Sequence, residues 1–311
     1  MFCLSMLSAC SSGNSLIPEE PELPNQEEPV LPPKSVEVVK MVADNILSGN
    51  GQTRTSFTLA ADKLKFGWAE GDVVGVYPTD ADQTSFTIKS GVGTNSARFD
   101  GGAWALRTEV LYGAYYPYSL DNSNRSNAEI RFDYAGQTQN GNGSLTALGT
   151  HDFMAAHPTM AVDEELNFNF KHLNSVIQFR LQLPVVAEFS TLILHSNSNI
   201  FTKVGNLDLS GSEYVYTSYE QTNQLEMSLS NVSTMDERKE VVVYMMLFPT
   251  DLSVQTVSVI LKSTDDKVYQ GTLGQKNLLP GYAYSLGAQL VDVTVASNDV
   301  ASPDIEEGDD I

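Results

Sequence analysis

The chain has 311 residues, 41% of them hydrophobic and 18% charged, which is enough apolar mass for one large all-β domain or two domains of ordinary size. Its formal net charge of −21 repels DNA, RNA, anionic lipid and other polyanions at long range, which counts against nucleic-acid binding. Both cysteines, Cys3 and Cys10, lie among the first ten residues, so the body of the chain has no disulfide and no thiolate metal site.

The first ten residues are short and apolar and end in Leu7-Ser8-Ala9-Cys10. This run resembles a bacterial lipobox, which implies a diacylglycerol on Cys10 and cleavage just before it. No Lys or Arg precedes Lys34, so a positive leader is expected upstream, with Met1 an internal methionine. No later stretch reaches the ~18–20 apolar residues of a membrane span, which leaves the lipid as the expected anchor. Residues 11–34 carry prolines at 18, 21, 24, 29, 32 and 33 with glutamates between them. Proline breaks helices and lacks a ladder donor, and the glutamates repel one another. The segment is expected to be a polyproline-II tether reaching ~70 Å at about 3.1 Å per residue.

From Ser35 onward, short β-rich runs recur between Gly, Asn, Asp and Ser clusters. Strands are expected at 36–42, 57–59, 73–77, 85–89, 109–116, 129–134, 166–170 and 176–183. Further strands are expected at 189–195, 214–218, 225–229, 240–248, 256–262, 268–273 and 282–295. In 176–183, Ile177, Phe179, Leu181 and Leu183 alternate with Gln178, Arg180 and Gln182, which predicts a strand with one wet face. The run 241–248 is almost wholly apolar and is expected to be buried on both faces. These runs predict antiparallel β-sandwiches with a boundary near Pro184, giving domains 35–183 and 184–295 and an acidic tail 296–311.

The chain holds no G-x-S-x-G elbow, H-E-x-x-H, Walker loop or strand-linked G-x-G-x-x-G, and it is read as not an enzyme. His151, His157, His172 and His195 show no metal-ligand spacing and read as hydrogen-bonded surface or loop residues, so no metal or cofactor is expected. Trp68, Trp104 and the Tyr112–Tyr118 cluster suit either a sugar platform or a sandwich core, and the core is favoured.

Seven segments together resemble the fimbrillin-like (Mfa-like) family of Bacteroidetes surface proteins. They are Thr53-Arg54-Thr55-Ser56-Phe57, Phe66–Tyr77, Tyr112–Ser119, His151–Ala156, Phe170–Ile177, Phe248-Pro249 and Leu279–Tyr284. The resemblance implies two transthyretin-like sandwiches and export as a lipoprotein to the outer membrane and cell surface. It implies assembly into a fimbria that supports adhesion, through a surface protease that removes the first strand and a strand from a neighbouring subunit that fills the gap. On that scheme the partners are other fimbrial subunits, an Arg-specific surface protease, the membrane through its lipid, and a host or bacterial surface ligand. A stand-alone surface lipoprotein that binds glycan or host protein is the alternative.

Arg54 follows the small polar run 48–53, of the kind that forms protease-accessible loops, and is expected to be the processing site. The strand released would carry Val36, Val38 and Met41. Three fully buried side chains there would contribute roughly 5–9 kcal/mol, at about 1.5–3 kcal/mol each. That is comparable with the ~5–15 kcal/mol stability of a whole domain, so the gap would need refilling. Val291, Val293 and Val295, alternating with polar residues, form the expected donor.

Overall fold

The computed structural model describes residues 36–39, 56–60, 63–101, 106–162, 165–234 and 238–294. The strands are β1 (Val36–Val39), β2 (Ser56–Ala60), β3 (Lys63–Gly67), β4 (Val73–Pro78), β5 (Thr84–Ser90), β6 (Arg98–Gly101) and β7 (Leu111–Tyr116). Next come β8 (Ile130–Asp133), β9 (Thr138–Asn140), β10 (Met154–Met160), β11 (Phe170–His172), β12 (Ser175–Gln182), β13 (Glu188–Ser196) and β14 (Phe201–Asp208). Last are β15 (Val215–Thr222), β16 (Gln224–Ser233), β17 (Glu240–Leu247), β18 (Val257–Ser263), β19 (Val268–Thr272), β20 (Ala283–Gln289) and β21 (Val291–Asp292). Two short 3-10 turns, Leu120–Asn122 and Leu148–His151, interrupt the strands. The all-β reading of the sequence stands.

A seven-stranded sheet runs β1-β6-β5-β4-β7-β10-β11. A six-stranded sheet runs β21-β19-β18-β13-β16-β9. Smaller sheets are β17-β12-β20, β15-β14-β8 and β2-β3. Pairing is antiparallel except for β12 with β20 and β9 with β16. The expected boundary at Pro184 falls between β12 and β13, yet β12 pairs only with β17 and β20, which both follow it.

The cores follow from side-chain alternation. In β12, Ile177, Phe179 and Leu181 enter one cluster with Leu192, Leu194, Val259 and Leu261. β17 feeds two clusters at once, because Val241, Val243, Met245 and Leu247 join that one. Val242, Tyr244 and Met246 join a second cluster, built around Trp68 and the seven-stranded sheet. A strand packed on both faces is expected to be apolar on both, and from Val241 to Leu247 this one is buried throughout.

Trp68 sits at the centre of the second cluster, in edge contact with Phe66, Phe99, Tyr116 and Phe170 at 4.8–5.9 Å between ring centroids. The turn after it is fixed by Gly71, at φ +82°, and by Asp72. The buried Asp72 carboxylate accepts from Ala69 N at 2.7 Å and from the Tyr116 hydroxyl at 2.9 Å. Tyr112, Tyr115 and Tyr116 are fully buried, so this part of the aromatic cluster is core. Trp104 lies outside the described residues.

Several expectations need correction. His172 is neither a surface nor a loop residue: it lies in β11, buried, with Nδ1 2.6 Å from Asp152 Oδ1. The run 282–295 is two strands, because β20 pairs with β12 whereas β21 pairs with β19. In 166–170 the burial alternates as expected, but the ladder begins only at Phe170. Strands β3, β6, β9, β10 and β14 were not anticipated.

Candidate functional site

For a chain with this resemblance, the relevant chemistry is that of unpaired backbone at sheet edges. β1 is the outermost strand of the seven-stranded sheet and pairs antiparallel with β6, Val36 opposite Gly101 and Val38 opposite Phe99. Val36 and Val38 therefore lie in one edge strand, as a releasable strand must. Phe99 of β6 is buried against Trp68, so the strand that β1 covers is anchored in the core. Cys10, Met41, Arg54 and Val295 lie outside the described residues.

Val291 lies in β21, against Gln270 of β19. The Val293 amide donates to Val268 O at 2.9 Å, and the Val268 amide donates to Thr294 Oγ1 at 2.9 Å. Two of the expected donor valines thus rest on their own chain, with Val291 61% and Val293 40% exposed.

One edge is closed in a way the sequence reading missed. β17 is the outer strand of its sheet, and its outward backbone groups are met by side-chain amides. Asn142 accepts from Val242 N at 2.6 Å and donates to Glu240 O at 3.1 Å. Gln139 accepts from Tyr244 N at 2.8 Å and donates to Val242 O at 2.9 Å. Gln137 accepts from Met246 N and donates to Met246 O, both at 2.8 Å. Gln137 and Gln139 are buried, while the backbone of β9 pairs with β16, so this segment links two sheets. The available signal was the alternation of amides in Gln137-Thr138-Gln139-Asn140.

Among the described residues no group of three or more His, Cys, Asp or Glu side chains is positioned to hold a metal. No helix among them is long and apolar enough to cross a membrane.

An all-β body of several sheets, with β1 at one edge, defines an architecture rather than a particular activity. The fimbrillin-like family profile matches residues 53–305, and the chain belongs to that family. A candidate cell adhesion protein of Bacteroides ovatus has a similar fold, with a TM-score of 0.53 at 17% identity over 85% of this chain and 97% of that one. A candidate cell adhesion protein of Bacteroides uniformis gives 0.48 at 12% identity over 84% and 97%. The tip fimbrial protein Mfa3 of Porphyromonas gingivalis, truncated at its C-terminus, gives 0.33 at 8% identity over 80% and 85%. No curated protein matches the chain in sequence.

Proposed function

We propose that the chain is a structural subunit of a bacterial surface fimbria that supports adhesion, assembled by removal of its first strand and exchange of a strand between subunits. The family supports the fimbrial role. The observation that carries the assembly step is the edge position of β1, which can leave its sheet without breaking any pairing but its own with β6. Arg54, in the segment between β1 and β2, is the proposed cut, made by an Arg-specific surface protease. Cys10 is the proposed lipid site, which would hold the precursor at the outer membrane before assembly. Two sandwich domains are proposed, with β12 assigned to the second because its partners are β17 and β20.

The donor is proposed to be the segment beginning at Val291. It has to leave β19 first, and a strand of only two residues holds few ladder bonds. One observation favours the alternative of a stand-alone binding lipoprotein: those valines already rest on their own sheet. Electron microscopy of the purified chain before and after limited Arg-specific proteolysis separates the two readings. Fibres only after cleavage support the fimbrial subunit, whereas stable cut monomers support the stand-alone lipoprotein.

A further inference from the structure

An open cleft of about 700 Å³ lies where the loop after β7, strand β8 and strand β15 meet, within the size range of small-ligand sites. Its lining includes edges of the buried Phe132 and Phe153, stacked on each other at 4.5 Å with 14° between their planes. Its polar lining holds Asp121, Arg125, Arg131 and Asp133, with aromatic side chains from Tyr118 and Tyr219. The Arg131 guanidinium lies 3.7 Å over the Tyr219 ring, which fixes its plane.

The frame is rigid before any ligand arrives. Asn122 Oδ1 accepts from Arg131 N at 2.9 Å and its Nδ2 donates to Arg131 O at 3.2 Å, which ties the 3-10 turn to β8. The Tyr77 hydroxyl donates to Asn122 O at 2.7 Å from below. Asp133 Oδ1 is taken by Ala135 N at 2.8 Å, which leaves its second oxygen for a ligand. A preformed site loses little freedom on binding.

The charges decide the ligand class. Two aspartates face two arginines, and burial pushes the His151 imidazole at the cleft down towards its neutral form. The lining is thus close to neutral, inside a chain of net charge −21 that repels anions. Carboxylates and guanidinium forks in one small space match the acceptor and donor roles of neighbouring hydroxyls, and the half-buried Tyr118 and exposed Tyr219 rings offer surface for the C–H face of a sugar. We propose that this cleft is a binding subsite for a neutral pyranose unit of a glycan. The site lies within one subunit and does not depend on strand exchange, so it stands or falls apart from the assembly scheme.

The test is saturation-transfer NMR and calorimetry on the full chain with lactose, cellobiose and mannobiose, with sialyllactose and a tyrosine-rich peptide as competitors from other classes. At least one neutral disaccharide should bind at up to ~10 mM. Its affinity should be almost unchanged by salt, because no net charge is neutralised. Arg131→Gln and Asp133→Asn should each weaken it about tenfold or more. Tyr118→Ala, which removes no hydrogen bond holding the frame, should do the same if Arg131→Gln lowers the melting temperature. Failure of all three disaccharides to bind, binding of sialyllactose or the peptide alone, or affinity unaffected by these variants would overturn the proposal.

Discussion

The side-chain amide of Gln139 holds the backbone around Tyr244 as a neighbouring strand would, accepting from the Tyr244 N–H at 2.8 Å and donating to the Val242 carbonyl at 2.9 Å. With Gln137 and Asn142 it closes the edge of β17, so this edge presents no free ladder to an incoming strand. On the proposed assembly scheme an incoming strand would have to use another edge, such as that of β6 after release of β1.

Gln139→Ala should expose this arrangement. It leaves the buried Tyr244 N–H without a partner, at a cost of about 1–3 kcal/mol, whereas the Val242 carbonyl keeps its bond from Gly143 N at 2.8 Å. Urea unfolding should show a loss of roughly 1–3 kcal/mol, and hydrogen exchange should be faster at the Tyr244 amide. An unchanged exchange rate there would show that the side chain is not what protects the edge.

Trp68→Ala removes the ring against which Phe66, Phe99, Tyr116 and Phe170 pack. The expected loss is about 3–5 kcal/mol, the range for large-to-small changes of a buried aromatic. A loss below ~1 kcal/mol in chemical denaturation would mean that this cluster can collapse around the gap.

His151 gives a pH dependence with a definite sign. Burial lowers its folded-state pKa below the ordinary 6.5, partly opposed by its hydrogen bond with Ala135 O. The unfolded chain therefore binds the proton more tightly. The stability from neutral His151 is complete above about pH 6.5 and falls as the pH drops from there towards the lower folded-state value. Melting temperatures of wild type and His151→Gln, measured between about pH 7 and pH 5, should diverge in slope, with the wild type steeper. Parallel curves would remove His151 from the account.

Cys10 should carry lipid when the chain is expressed behind a cationic leader. Metabolic labelling with an alkyne fatty acid should mark the wild type and not Cys10→Ser. Equal labelling of both would place the anchor elsewhere or nowhere.

The elements legible in the sequence were those whose side chains report burial simply. β12 alternates, and β17 is apolar from Val241 to Leu247 because two cores claim it. β9 was not legible because its buried Gln139, like Gln137 just before it, bonds to backbone, and an amide in sequence reads as a wet face. β10 was hidden by Pro158, small residues and an irregular register between Ala156 and Thr159. β14 was hidden by Gly205, whose missing side chain leaves room for the Tyr216 hydroxyl, 2.4 Å from where a Cβ would stand. The polar cleft was invisible for a different reason: Tyr118, Arg131 and Tyr219 come together only through the fold. The edge position of the first strand could be anticipated from its place in the chain, but its partner β6 could not.

Hydrogen exchange at the β6 amides that face β1, between Arg98 and Gly101, tests the strand-exchange account most directly. These amides should be protected in the intact chain and lose protection when Arg-specific cleavage at Arg54 frees monomers. They should regain it in the assembled fibre, as a neighbour's strand takes the place of β1. Protection that persists through cleavage, with the chain remaining monomeric, would contradict the account.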